Sequence, residues 1–140
     1  MKKKADVAAW LEKAEQDFEG AVFLAGKRSK SVPDLVCFHS QQAAEKYLKA
    51  CLTLQRLPFP KTHDLVKLKN LLSGKVSEIE LIADLLVFLN EFSVQYRYPG
   101  EESSTVYAKR ALKAIKEVRK FFALHLQGIP ETRKILPEGK

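Results

Sequence analysis

Glycine is scarce and scattered in this chain. The six residues, Gly20, Gly26, Gly74, Gly100, Gly128 and Gly139, open no phosphate-cradling loop. There is no His-Glu-x-x-His and no Cys-x-x-Cys, and the three histidines lie far apart in sequence, so neither a metal centre nor a cofactor is expected. Only two cysteines occur, Cys37 and Cys51. Both fall in one predicted helix, about 21 Å apart along its axis at the standard rise, too far for a disulfide. They read as core thiols, which fits a reducing compartment, and a cytoplasmic location is expected. No apolar run approaches the roughly 18 residues of a membrane span, and no apolar stretch follows the basic N-terminus, so neither a membrane segment nor a secretory leader is expected. β-Branched residues are few, and no segment pairs strand-like alternation with turn signals.

What remains is a helical pattern over most of 140 residues, with 46% apolar content and a net charge of +7. Length and composition suit one domain. The expectation is an all-α, up-and-down four-helix bundle with one additional short helix over residues 1–130, and a flexible tail over 131–140. The basic balance favours anionic partners such as a nucleotide, nucleic acid or an acidic protein.

Helix one is expected from about Asp6, its cap, to Gly26, with Trp10 or Leu11, Ala14, Phe18 or Asp17, Ala21, and Leu24 or Ala25 at helical spacing. A basic loop, Lys27 to Ser31, leads to helix two, where Pro33 suits the first turn. Helix two runs to about Arg56, before Leu57-Pro58-Phe59-Pro60. Helix three spans Thr62 or His63 to Leu72, with Thr62 as a cap and Asp64 in its first turn, and ends at Ser73-Gly74. Helix four opens on a capping box, Ser77 to Glu80, and continues past Phe92 to about Tyr96. Leu81 and Phe88 widen its apolar arc beyond one core's needs, which predicts a homodimer contact. Helix five runs from Ser103 or Ser104 to about Gln127.

The candidate chemistry gathers on helix two. Val36, Ser40, Ala43, Ala44, Tyr47, Cys51 and Leu54 share an inward face. His39, Gln42, Lys46 and Lys49 fall within about 80° of one another on a second face, with Glu45 at its edge. Such a strip is either solvated or one wall of a cleft. Gln42 offers a donor and an acceptor for a base edge, and the two lysines offer point charges for phosphate. His63-Asp64, at the start of helix three, reads either as capping and docking or as a polar site at a helix end. Arg97 stands between Tyr96 and Tyr98-Pro99, where helix four should end. Its guanidinium suits a carboxylate such as Glu45, a phosphate, or the last carbonyls of the helix. Lys109, Lys113, Lys116 and Lys120 form a basic stripe on helix five, broadened by Arg110 and Arg119. It is either a track for a nucleic-acid backbone or a solvated face.

Together, His39-Ser-Gln-Gln-Ala-Ala-Glu-Lys-Tyr-Leu-Lys49, Lys61-Thr-His-Asp-Leu65 and Tyr96-Arg-Tyr-Pro99 resemble the prokaryotic HEPN domain (higher eukaryotes and prokaryotes nucleotide-binding), over roughly residues 6–127. The resemblance implies a helical bundle, often dimeric. Many such domains are encoded beside a minimal nucleotidyltransferase, some in toxin–antitoxin pairs, and others are metal-independent ribonucleases. The ribonucleases carry an arginine, usually followed by a polar residue, and a histidine four to six residues after the arginine. Arg97 stands where that arginine belongs, but Tyr98 follows it and no histidine lies at the required interval. Arg119 and His125 meet the bare spacing late in helix five, and that match reads as coincidence.

The expected function is therefore a non-catalytic module that binds a nucleotide, a nucleotidyltransferase partner, or both. Its site would comprise His39, Gln42, Glu45, Lys46, Lys49, His63, Asp64, Arg97 and Tyr98. The alternatives are a divergent ribonuclease, acting on RNA through Arg97 with His39 or His63, and a structural dimerisation module.

Overall fold

Five α-helices account for the architecture, and a computed structural model describes residues 2–29, 31–93, 104–126 and 135–136 of the chain. They are α1 (Lys2–Ala25), α2 (Val32–Leu54), α3 (Leu65–Ser73), α4 (Ala83–Leu89) and α5 (Thr105–His125). No strand occurs among the described residues. The fold is all-α, effectively a four-helix bundle with one extra short helix.

Side-chain partners set the directions of the helices. Along α2 from His39 to Tyr47 to Lys49, the partners on α1 run backwards from Asp17 to Glu15 to Trp10. The two helices are therefore antiparallel. Ala108 of α5 clusters with Val32 and Val36 near the start of α2, while Phe122 stacks on Tyr47 further along, so α5 runs parallel to α2. Phe88 and Phe92 meet Tyr107, and Asp84 and Leu85 share a groove with Lys113, so α4 runs against α5.

Helix α2 sits at the centre. Its expected inner residues Val36, Ala43, Ala44, Tyr47 and Cys51 are buried, but so are Gln41, Glu45, Leu48, Lys49 and Leu52 on other faces. A helix enclosed on so many sides needs partners for its polar groups. The Ser40 hydroxyl is buried with no hydrogen-bond partner among the described residues. At the far end, Leu57 N–H donates to the Leu52 carbonyl and Arg56 N–H to that of Thr53. These two bonds form a Schellman stop, with Arg56 in the left-handed position at φ 60°.

Several local expectations change. Helix α1 already includes Lys2, so Asp6 lies inside it and is not its cap. Asp64, not Thr62, caps α3, accepting from Val66 and Lys67 N–H, while the Thr62 hydroxyl accepts from Asp64 N–H. The capping box at Ser77 does not form. Ser77–Ile82 is a 3-10 helix with no side-chain cap, α4 is short, and a second 3-10 turn covers Asn90–Phe92. Two contacts explain the change. Glu80 reaches across to Lys69 of α3 at 3.0 Å instead of back to Ser77, and a three-residue period puts both Ile79 and Ile82 into the core. The continuation of this helix to Tyr96 lies outside the described residues.

Across the 3-10 helix and α4 the broad apolar arc divides. Phe88 is half-buried under Arg110, whereas Leu81 is 80% exposed and Val87 is also exposed. Of residues 131–140 only Ile135 and Leu136 are described; Leu136 is buried in the main core and Ile135 packs against it.

Candidate functional site

The polar strip of α2 does not face open water. Helix α1 covers part of it and supplies an acid. Asp17 accepts from His39 Nδ1 at 2.9 Å through one oxygen and from Lys46 Nζ at 2.5 Å through the other. Burial alone would raise the Asp17 pKa, but the hydrogen bonds from His39 and Lys46 outweigh it and hold the carboxyl below its ordinary value. Lys46 also reaches Gln42 Oε1 at 3.4 Å.

Further along α2 the network continues into the loop before α3. Glu45 accepts from Lys49 at 2.8 Å and from His63 Nδ1 at 2.9 Å. Gln41 donates to the His63 carbonyl at 2.8 Å, and Gln42 donates to Gln41 Oε1 at 2.7 Å. Asp64 continues the chain of contacts, because Asn90 bonds both its carboxylate and the N–H of Leu65. Its pKa is lowered chiefly by the Lys67 backbone N–H, with help from Asn90 and Val66. Gln41, Glu45, Lys49, His63 and Asp64 therefore pin the start of α3 onto α2 and onto the 3-10 turn that follows α4. The Lys49 ammonium, 8% exposed, also lies 5.4 Å from the Trp10 ring centre.

Among the predicted site residues, the structure brings His39, Gln42, Glu45, Lys46, Lys49, His63 and Asp64 into one connected seam. Its cations are already matched by Asp17 and Glu45. What it offers outward is imidazole. His63 is 68% exposed and His39 29% exposed. A carboxylate only accepts, so each ring donates from Nδ1. Arg97 and Tyr98 lie outside the described residues.

Two acids on α1 were not among the predicted site residues. Asp17 completes the seam. Glu15 takes both Nε and Nη2 of Arg119, at 2.8 and 2.7 Å, and also accepts from the Tyr47 hydroxyl. Burial, then the Glu15 charge, pushes the Tyr47 pKa up, and the Glu15 hydrogen bond raises that of Arg119. Arg119 therefore leaves the basic stripe for the interior, where it also lies 4.5 Å from the Phe18 ring centre. His125 stacks on Phe121 and donates Nδ1–H to that residue's carbonyl. The signal for Asp17 was legible, since an acid in the apolar register of helix one demands a cation from a neighbouring helix.

A different geometry lies at the other end of the seam, where the α1–α2 loop meets the first turns of α2 and α5. A cleft of about 530 Å³ opens there, within the roughly 300–1,000 Å³ of small-molecule sites. Val32, Val36, Ala108 and Leu112 form its apolar floor. Lys27, Arg28 and Lys109 stand on its rim with the hydroxyl residues Ser29 and Thr105. Lys27 rests 4.4 Å from the Phe23 ring centre, and none of the three cations forms an ion pair among the described residues. No group of three metal-ligating side chains converges among the described residues.

A model of the HEPN domain matches residues 7–126. The chain belongs to the HEPN domain family. The crystal structure of an archaeal HEPN homologue is similar in fold, with a TM-score of 0.66 and 22% sequence identity, over 85% of this chain and 96% of that one. No match is found among curated proteins. In this HEPN chain the two polar regions, the matched seam and the unmatched cleft, lie at different levels of the same central helix.

Proposed function

We propose that this HEPN chain is a non-catalytic module that binds a nucleotide in the cleft between the starts of α2 and α5. The observation that carries the reading is the set of cations without acid partners among the described residues, Arg28 and Lys109 foremost, standing over an apolar floor. A base lies against Val32, Val36, Ala108 and Leu112. The phosphate meets Arg28, whose planar fork gives two parallel hydrogen bonds, and Lys109, a point charge. Arg97 and Tyr98, singled out by the resemblance, lie outside the described residues and carry no part of this cleft reading. A nucleotidyltransferase partner, in a toxin–antitoxin-like pair, and a homodimer remain part of this proposal at the level of assembly. Titration with adenosine monophosphate followed by amide NMR tests it. Shifts concentrated at Val32, Ala108 and Lys109, lost in Arg28→Gln/Lys109→Gln, are expected. An unchanged spectrum at millimolar ligand would overturn it.

One observation favours a second reading, a ribonuclease that pairs Arg97 with His39 or His63. Both imidazoles are held at Nδ1 by a carboxylate, the arrangement in which a neutral ring takes a proton at Nε2. His39 and Glu45 are about 9 Å apart along α2, so the rings present as separate groups. Incubation of single-stranded RNA with stoichiometric protein in excess chelator decides it. Cleavage abolished by Arg97→Ala and by one of His39→Gln or His63→Gln establishes the enzyme, and intact RNA eliminates it.

A further inference from the structure

The positive charge of the chain is not spread evenly. Residues 76–96 hold four acids, Glu78, Glu80, Asp84 and Glu91, and no lysine, arginine or histidine, in a chain of net charge +7. Within that stretch the fold sorts the side chains. Ile79, Ile82, Leu86 and Leu89 are buried, and Glu80 is tied to Lys69. Glu78, Leu81, Asp84, Val87 and Glu91 are left on the outer face, all five exposed. Their spacing, three steps of three residues and one of four, keeps them within about 100° of one another over roughly 20 Å of 3-10 and α-helix. The result is a strict alternation of acid and apolar side chain. Leu81, 80% exposed, is the most exposed large apolar side chain among the described residues, and Val87 is 56% exposed. Beside Asp84 the stripe borders a groove of about 360 Å³ that reaches Leu85 and Phe88, with Arg110 and Lys113 on its far bank. Those two cations confine a basic partner to the α4 side.

We infer that this stripe docks a basic amphipathic helix of another protein, one that alternates lysine or arginine with leucine-sized residues at three- and four-residue spacing. Charge complementarity selects the class. The stripe reads the same in both directions about Asp84, so a two-fold copy sets Asp84 on Asp84 and Glu78 on Glu91, like charge on like charge. The exposed lysines of a copy's α5, Lys113, Lys116 and Lys120, have no exposed large apolar side chain between them to cover Leu81 and Val87. An anionic lipid surface repels the acids. The stripe lies on the outer face of α4, and the inference stands independently of the cleft reading.

The test is fluorescence anisotropy of the full chain with a labelled helical peptide of about 18 residues carrying leucine and lysine in that alternation. A peptide with glutamate in place of lysine and an oligolysine without leucine are the controls. The leucine–lysine peptide is expected to bind at least about tenfold tighter than either. Leu81→Ser/Val87→Ser and Asp84→Lys should each weaken it about tenfold, with an unchanged circular dichroism spectrum because these side chains are exposed. Affinity should fall as salt rises. The cleft variant Arg28→Gln/Lys109→Gln should bind it as the wild type does. An oligolysine that binds as tightly, or a glutamate peptide that does, overturns the assignment. So does a leucine–lysine peptide that fails to bind, or one whose affinity both stripe variants leave unaltered. A dimer in sedimentation equilibrium that Leu81→Ser/Val87→Ser dissociates gives the stripe to a second copy and overturns the foreign helix.

Discussion

The seam between α1 and α2 and the rim of the cleft carry similar side chains, yet they treat charge in opposite ways. In the seam, Asp17 serves His39 and Lys46, and Glu45 serves His63 and Lys49. At the rim, Lys27, Arg28 and Lys109 have no such acids among the described residues. Burial explains the difference. A charge enclosed between helices costs too much unless a partner offsets it, whereas a charge at the bundle end keeps its water. Matched charge holds the fold together, and the rim cations, unmatched among the described residues, are the ones proposed to meet an outside ligand.

The comparison breaks most visibly at Glu45. Its removal in Glu45→Ala strands Lys49 and also releases His63, so a loss of about 3–5 kcal/mol is expected, read from the urea midpoint. A loss below about 1 kcal/mol would mean that Lys49 finds water and that the seam is no more structural than the rim. Asp17 is the intermediate case. Its folded pKa is lowered below the ordinary 3.8, so its contribution is present above that value and is lost as the pH falls through the folded pKa. Wild type should therefore exceed Asp17→Asn in stability by a constant margin above about pH 4, and the margin should close below it. A margin that widens on acidification would contradict the pairing with His39 and Lys46. The smallest effect belongs to the rim. Lys27→Gln, Arg28→Gln and Lys109→Gln should each change stability by less than about 0.5 kcal/mol, even where they abolish ligand binding.

Much of this was legible in the residues. The period of helix two placed Val36, Ala43, Ala44, Tyr47 and Cys51 inside, and the burial of Cys51, which pushes its thiol up to about 12, agrees with an inert core residue. The grouping of His39, Gln42, Lys46 and Lys49 on one strip was also legible, because it follows from helical geometry within one element. The identity of the element facing that strip was not. Asp17 lies on another helix, and its pairing depends on how α1 and α2 align. The capping box at Ser77 misled for the same reason, since local sequence favoured a cap while Lys69 of α3 drew Glu80 away.

Composition and periodicity were enough for an all-α bundle, its central helix and its excess of positive charge, because helix formation and amphipathic burial depend on residues close together in the chain. Packing alone sorted that charge. It drew Arg119 inward to Glu15 and Lys46 to Asp17, and left Lys109 at the mouth of a cleft whose other walls come from α1 and α2. Whether a lysine or arginine is a strut or a contact depends on which acids other helices bring within reach, and that is a property of distances across the bundle.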